Sequence, residues 1–516
     1  MKSFSFWNHS WALSVSAALL LSLSFPPFNL SVLQVPAFVI LFRLAVISNS
    51  SRQLIYFAYP SFVLWNLLTT YWLMMATVAG GLAAILANAL LMLIPLLLIR
   101  KLFLSNMNSF LAAFLAASFW VTYEFLHHNW DLSWPWLTLG NGWANITSAI
   151  QFISFTGVWG ISFWIMLTAS LLFLYIREKK KSLLYGGISV FLAFPLLSVL
   201  LLTTQQQETA NPVDVTIIQP NSDSYEDFGG LSSADELITK LLTLSAEAYT
   251  PETDVLIWPE NALDSNLPFD HYHFNRIRDS LDTWNTSLIT GTGFVDYYDE
   301  DNRPPVFRES VNGTYNVYNS AFHLHPDQPN KVYKKGKLVP IVERLPFVET
   351  FQRLDALNWV DWGVSAGYGL GTEATVFDVN GHKTPALICY DSVFPGWVNK
   401  FVNRGAGFLT IITNDGWWGK SNGHIQHFAY ARLRAIENRK WIARSANNGI
   451  SGIIGPDGRI HKETEYWTED AFSHTIYSTD SMTIYSEFGD WLGFLLTIST
   501  LAGLTRLRMV GKDKST

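Results

Sequence analysis

The chain has 516 residues, of which 35 are Lys or Arg and 42 are Asp or Glu; its 15% of charged residues compares with roughly 25% in an ordinary soluble domain. That deficit argues against a single water-soluble globule, and with no basic footprint nucleic acid is not an expected partner. The lone cysteine, Cys389, excludes an internal disulfide and a thiolate zinc site of the CxxC kind.

Charge divides the chain near residue 205. Before that point lie nine basic residues and three acidic ones, Glu124, Asp131 and Glu178; residues 206–505 carry a net charge of −16. Apolar runs able to cross, or nearly cross, a hydrocarbon core of about 30 Å occupy 11–25, 33–47, 54–75, 81–99, 110–125, 159–176, 183–202 and 491–504. The first run, behind Lys2, is signal-peptide-like, but Ser24-Phe-Pro-Pro-Phe28 follows it instead of a small-residue cleavage site. Arg52, then Arg100 and Lys101, then Arg177 and Lys179 to Lys181 fall in alternate loops. The positive-inside rule places those loops and both termini in the cytoplasm and the acidic domain outside. The expected organisation is a multi-pass transmembrane domain over 1–205 with seven spans, an extracytoplasmic domain over 206–486, and a last span with a cytoplasmic tail over 487–516.

Within the polar part, short β-rich runs that end in polar residues recur at 215–221, 254–260, 287–291, 318–324, 386–390, 408–414 and 441–447. They read as buried strands. Helical patterns at 234–248, 395–402 and 425–438 alternate with them, which predicts a layered α/β domain whose strand ends share one crevice. Three strand ends carry chemistry: Glu260, Lys335 and Cys389. A thiol that must lose its proton, a carboxylate to take it and an ammonium beside the resulting oxyanion suit acyl transfer, with backbone N–H groups at or near Tyr390 completing the oxyanion site. Taken singly, each has a plainer reading, Cys389 as core packing and the two charges as solvated strand ends.

The surrounding segments change that balance. Trp258-Pro-Glu-Asn-Ala262, Tyr333-Lys-Lys-Gly-Lys-Leu-Val-Pro340 with Glu343, Ile388-Cys-Tyr-Asp391 and Ser445-Ala-Asn-Asn-Gly-Ile-Ser451 resemble the Glu-Lys-Cys signatures of the nitrilase superfamily. Tyr318-Asn-Ser-Ala321, Thr413-Asn-Asp-Gly-Trp-Trp-Gly419 and the stretch 426–437, with Ser24-Phe-Pro-Pro-Phe28, Ser133-Trp-Pro-Trp-Leu-Thr-Leu-Gly140 and 155–162 in the apolar part, are most similar to its apolipoprotein N-acyltransferase family. The resemblance covers nearly the whole chain and implies an αββα catalytic domain of nitrilase type. It implies an acyltransferase of the bacterial cytoplasmic membrane that moves an acyl chain from a phospholipid, through a thioester on Cys389, to the amine of a diacylglyceryl-cysteine apolipoprotein. Glu260 is then the general base, Lys335 the oxyanion partner and Cys389 the nucleophile. No cofactor or metal is implied, and a monomer is expected.

Supporting roles fall on Glu343, Tyr390 and Asp391. Glu343 sits in Pro340-Ile-Val-Glu-Arg-Leu-Pro346, where the family pattern has Phe-Gly before the glutamate, and Asp391 stands where the family commonly has glutamate. Phe228, Trp359, Trp362 and Trp417 are candidate lipid contacts. Residues 345–367 form an apolar, aromatic arm that either lies on the membrane as a lid or packs the domain on its own spans.

Other signals are set aside. His424 and His427 lack a third ligand nearby in sequence, Gly291-Thr-Gly293 reads as a turn and not a dinucleotide loop, and the Asn-x-Ser/Thr triplets occur at chance level. A membrane-tethered amide hydrolase of nitrilase type is the alternative function. A transporter is a poorer one, since only Glu124 and Arg43 are intramembrane charges.

Overall fold

The computed structural model describes residues 9–204, 210–223, 226–263, 271–354 and 361–512. The chain forms two compact units, one of Met1–Gln205, Ile425–Glu437 and Thr483–Thr516, the other of Gln206–His424 and Asn438–Met482.

The first unit is helical. Each of the eight apolar runs lies largely on a helix: Ser10–Leu23, Gln34–Ile47, Ser51–Thr70, Val78–Phe103, Ser109–His127, Trp159–Glu178, Lys181–Thr204 and Trp491–Lys512. Among the described residues, Val78–Phe103, Ser109–His127, Trp159–Glu178 and Lys181–Thr204 are long and apolar enough to cross a membrane, while Ser10–Leu23 and Ser31–Ile47 are shorter apolar helices. Capping follows the local sequence, since the Asn108 side chain accepts from the N–H groups of Phe110 and Leu111, and that of Ser50 from Gln53 N–H. Lys181–Thr204 buries only Leu183, Gly187 and Ser198 of its side chains. Protein covers little of its apolar surface, and hydrocarbon is the solvent that suits it.

Several polar side chains buried in this unit are paired with one another. Asn88 donates to Asn66 Oδ1 at 2.7 Å and accepts from Tyr123 at 2.8 Å, with His127 Nε2 3.0 Å away. Glu124 accepts from Trp120 Nε1 and from Leu139 N–H, both at 2.9 Å, so this buried carboxylate tethers the loop after its helix. Residues Ile425–Glu437, part of the polar domain by sequence, group with the helices. Gln426 accepts from Trp72 Nε1 at 3.3 Å and donates to the carbonyls of Pro26 and Thr69, and Tyr430 donates to the carbonyl of Trp136 at 3.0 Å. Spare carbonyls at helix ends and loops draw those polar side chains in.

The second unit holds two main sheets. In the larger, spatial order runs Asp470–Tyr477, Pro212–Gln219, Val255–Ile257, Ser287–Tyr298, Gly313–His325, the last strand also pairing with Arg308–Ser310 and Gln328–Lys334. The second to fourth of these run parallel. The smaller sheet runs Ile460–Glu463, Gly452–Ile454, Ile442–Ala446, Leu409–Thr413, Ala386–Ile388, with the last three parallel. The sheets meet where Ser445 Oγ donates to the Ile218 carbonyl at 2.7 Å. Helices Ala234–Ala248 and His271–Trp284 cover the larger sheet through Ile238, Leu241, Ile277 and Leu281.

All seven sequence-derived strands fall on observed ones. Gly291-Thr-Gly293 is not a turn: it lies within the strand Ser287–Tyr298. A Cβ on Gly291 would stand 2.5 Å from Glu260 Cα, so the glycine serves the close approach of a neighbouring segment.

Candidate active site

Parallel strands deliver polar residues to a common end, and here Val255–Ile257, Ala386–Ile388 and Leu409–Thr413 lead to Glu260, Cys389 and Asn414. The approach to Glu260 is fixed by Trp258 N–H on the Ile289 carbonyl at 2.9 Å and by Gly291 N–H on the Pro259 carbonyl at 3.0 Å. Trp258 Nε1 donates to Ser245 Oγ at 2.9 Å and locks the indole beneath the strand. Lys335 follows the strand Gln328–Lys334, its N–H on the Asn319 carbonyl at 2.9 Å. Period-two alternation sends the adjacent lysines apart: Lys334 pairs with Asp296 and lies over the Tyr318 ring, while Lys335 is 1% exposed.

Lys335 Nζ lies 3.2 Å from Glu260 Oε1 and 2.8 Å from Glu343 Oε1. The same two oxygens accept from Asn319 Nδ2 at 2.8 and 3.0 Å. Glu260 Oε2 takes Asn414 N–H at 3.0 Å, and Glu343 Oε2 takes Val339 N–H at 2.7 Å. Glu260, which is buried, and Glu343, which is partly buried, thus share one ammonium and one amide donor. Two negative charges this close require such sharing.

Cys389 begins the turn Cys389–Val393 with φ +45°. Non-glycine residues seldom occupy that region, and strain of this kind gathers at functional sites. Asp391 ties the turn to the lysine loop: it accepts from Tyr333 OH at 2.8 Å, Lys337 N–H at 2.7 Å and Ile388 N–H at 3.1 Å. Tyr333 OH in turn accepts from Trp397 Nε1 at 3.1 Å and Gly336 N–H at 3.2 Å. Tyr390 is buried with its ring edge-on to Phe394 at 4.8 Å.

The electrostatics follow from burial. Burial pushes the Cys389 thiol well up and Glu260 adds to that, with Lys335 opposing, so the resting group is a thiol. Burial pulls Lys335 down, but Glu260 and Glu343 together outweigh it and hold the ammonium well above its usual range. Burial raises Asp391 to about 7 against the pull of Lys335 and its three donors. The set can hold one proton on sulfur, keep one fixed cation and offer one carboxylate as acceptor, which is what attack on a carbonyl requires.

Residues 17–171 match the apolipoprotein N-acyltransferase N-terminal domain and residues 214–482 match the carbon-nitrogen hydrolase family. An apolipoprotein N-acyltransferase of Chlorobaculum tepidum is 33% identical over 505 residues, covering 93% of this chain and 92% of that one. The chain belongs to the apolipoprotein N-acyltransferase family. Family members of Wigglesworthia glossinidia brevipalpis and Treponema denticola are each 27% identical, over 91% and 75% of this chain and 92% and 75% of theirs. An amidase from Nesterenkonia superposes on 54% of this chain and 95% of its own with a TM-score of 0.36 and 14% identity.

The loop before Glu343 contains Ile341 at φ +71°. That value is strained for a β-branched side chain. Glu343 stays in place through its backbone, its N–H on the Val339 carbonyl at 2.9 Å and its carbonyl taking Tyr368 N–H at 2.8 Å. The arm divides: Leu345 and Val348 pack with Val306 and Ala366, while Leu354 and Val364 are exposed. Trp359 lies outside the described residues, Trp362 begins the short helix Trp362–Ser365, and Phe228 and Trp417 are each 37% exposed. Neither Phe228 nor Trp417 is among the partners of Lys335 given above.

Asn319, Asn414 and Tyr333 received no role from the sequence. Tyr318-Asn-Ser-Ala321 and Thr413-Asn-Asp-Gly-Trp-Trp-Gly419 marked the family resemblance, but their chemistry depends on partners 59 and 154 positions away.

Proposed function

We propose that this chain transfers an acyl chain from a phospholipid to the N-terminal amine of a diacylglyceryl-cysteine apolipoprotein, with Cys389 carrying the acyl group as a thioester. The observation that supports this reading is the Glu260–Lys335–Glu343 cluster, with Glu260 and Lys335 buried, at a strained cysteine in a member of this family. In the first half-reaction Glu260 takes the Cys389 proton as sulfur attacks the ester carbonyl. Lys335 and backbone N–H groups at Tyr390 or nearby receive the oxyanion, and the carbon–oxygen bond breaks as Glu260 returns its proton to the departing lysophospholipid. In the second, the lipoprotein amine attacks the thioester, Glu260 takes its proton, the carbon–sulfur bond breaks and the thiol is restored as an amide forms. Glu343 holds Lys335, and Asp391 holds the lysine loop against the nucleophile turn.

Both substrates are lipid-anchored, which accounts for the apolar helices. We place eight of them across the cytoplasmic membrane of a bacterium, with both termini inside and the polar unit outside, on the charge pattern of the loops. The arm, with Leu354 and Val364 exposed, then serves as a membrane-facing lid, and Phe228, Trp359, Trp362 and Trp417 serve as lipid contacts. The chain acts as a monomer without metal or cofactor.

Intact mass spectrometry after incubation with phospholipid and no acceptor tests the first step. A hydroxylamine-labile gain of one acyl chain, absent from Cys389→Ala and discharged by a diacylated lipopeptide, is the expected result. An unmodified Cys389 would refute the mechanism and leave small-amide hydrolysis as the better account.

A further inference from the structure

The mechanism assigns no role to the strand next to the one that leads to Cys389. That strand, Leu409–Thr413, runs parallel to Ala386–Ile388 with Ile412 opposite Ile388, which brings Thr413 alongside Cys389. Thr413 is fully buried, and its hydroxyl donates to Asp415 Oδ1 at 2.7 Å. It is also a hydrogen-bond partner of the Cys389 side chain. A carboxylate oxygen of Asp415 lies within 4.8 Å of Cys389 Sγ. Asp415 is held in turn by Arg444, whose Nη2 donates to Oδ2 at 2.8 Å, and both side chains have no exposed surface. Arg444 is fixed by its Nε on the Ile450 carbonyl at 3.1 Å. A Cβ on Gly449 would stand 2.6 Å from Asp415 Oδ2, so backbone closes tightly on this carboxylate.

A buried carboxylate this near a nucleophilic thiol invites the role of base, but Asp415 is already neutralised by a buried guanidinium. A carboxylate in a fixed ion pair is a poor proton acceptor. Its evident chemical use is to aim the hydroxyl beside it. Resting on the thioester reading above, we propose that Thr413 is the side-chain hydrogen-bond donor to the Cys389 thiolate and that the Asp415–Arg444 pair holds its hydroxyl for that task. The hydroxyl has one proton and two acceptors. While sulfur is protonated, the proton points to Asp415 Oδ1. When Glu260 removes the thiol proton, the Thr413 hydroxyl turns to the new S⁻, and Arg444 keeps Asp415 neutralised so that the two anions do not repel. No covalent bond changes in this swing. The charged groups facing the sulfur are then Glu260, Lys335 and Asp415, with Thr413 the neutral donor among them.

Because the chain has a single cysteine, alkylation of the purified full-length protein by iodoacetamide at one fixed pH, followed by intact mass, reports Cys389 alone. Turning to the thiolate costs the hydroxyl its bond to Asp415, so the gain is the difference between two charge-assisted bonds, and Thr413→Val is expected to slow alkylation by about threefold or more. Thr413→Ser, which keeps the hydroxyl, restores most of the rate, and thioester formation from phospholipid follows the same order. Should Thr413→Val lose its fold by thermal melt, Thr413→Ala carries the comparison. Alkylation of the valine or alanine variant at the wild-type rate would overturn the proposal, as would a serine variant as slow as the valine one. Normal alkylation of the wild type with no acylation by phospholipid would instead defeat the acyltransferase mechanism and leave the hydrogen bond standing.

Discussion

Asn319 offers the sharpest test of the proposed catalytic cluster, because one amide nitrogen serves both carboxylates. Its Nδ2 meets Glu260 Oε1 at 2.8 Å and Glu343 Oε1 at 3.0 Å, the same oxygens that Lys335 Nζ meets at 3.2 and 2.8 Å. The amide orientation is forced, since turning it over would place a carbonyl lone pair against two anions. Its Oδ1 has no hydrogen-bond partner among the described residues. Asn319→Ala removes two bonds to charged acceptors, each worth about 1.5–3 kcal/mol, and water entering the space recovers about half. A net loss of about 1.5–3 kcal/mol remains, or roughly 13- to 160-fold in the rate of thioester formation. The backbone is spared, because Lys335 N–H bonds to the Asn319 carbonyl whatever the side chain. Asn319→Asp puts a third carboxyl beside two carboxylates and is expected to be slower still. The assay is the time course of acyl mass gain with phospholipid, beside a thermal melt as fold control. A folded alanine variant within about threefold of wild type, or an aspartate variant faster than the alanine one, would refute the shared-donor account.

Lys335→Met strands Glu260 and Glu343 without their cation, so thioester formation should vanish and stability in detergent should fall by about 3–5 kcal/mol, read as a lower Tm. Gly291→Ala forces a methyl to 2.5 Å from Glu260 Cα; about 1–3 kcal/mol of destabilisation and a loss of acylation with Cys389 still alkylatable are expected. Asp391 is raised to about 7 in the fold from 3.8. Its contribution to stability is therefore complete below about pH 4 and is lost as pH rises to about 7, with about 4 kcal/mol as its upper bound; the Tm of Asp391→Asn should lack that slope. For orientation, single cysteines in a Cys389→Ala background at exposed Asn106 and Asn312 should be, respectively, protected from and labelled by an impermeant maleimide on intact cells. The reverse pattern would invert the topology.

Much of this was already written in the linear chain. Apolar runs and the basic residues between them mark helices because a 3.6-residue repeat without charge has no other solvent, and the seven buried strands announced themselves by β-branched runs ending in polar residues. Glu260, Lys335, Glu343 and Cys389 could be singled out because each sits in a segment with its own local signature. What the sequence left open was which polar groups meet. Asn319 donates to two carboxylates 59 and 24 positions away, Tyr333 bonds Asp391 58 positions on, and Gln426 finds carbonyls 400 and 357 positions back. Gly291-Thr-Gly293 looked like a turn because Gly291 answers to the backbone of the distant segment at Pro259–Asn261. Periodicity and propensity act over one or two turns of chain, so they specify the elements. Partners brought together by sheet register and buried hydrogen bonding belong to the tertiary structure, because only the packed sheets place a donor 3 Å from its acceptor.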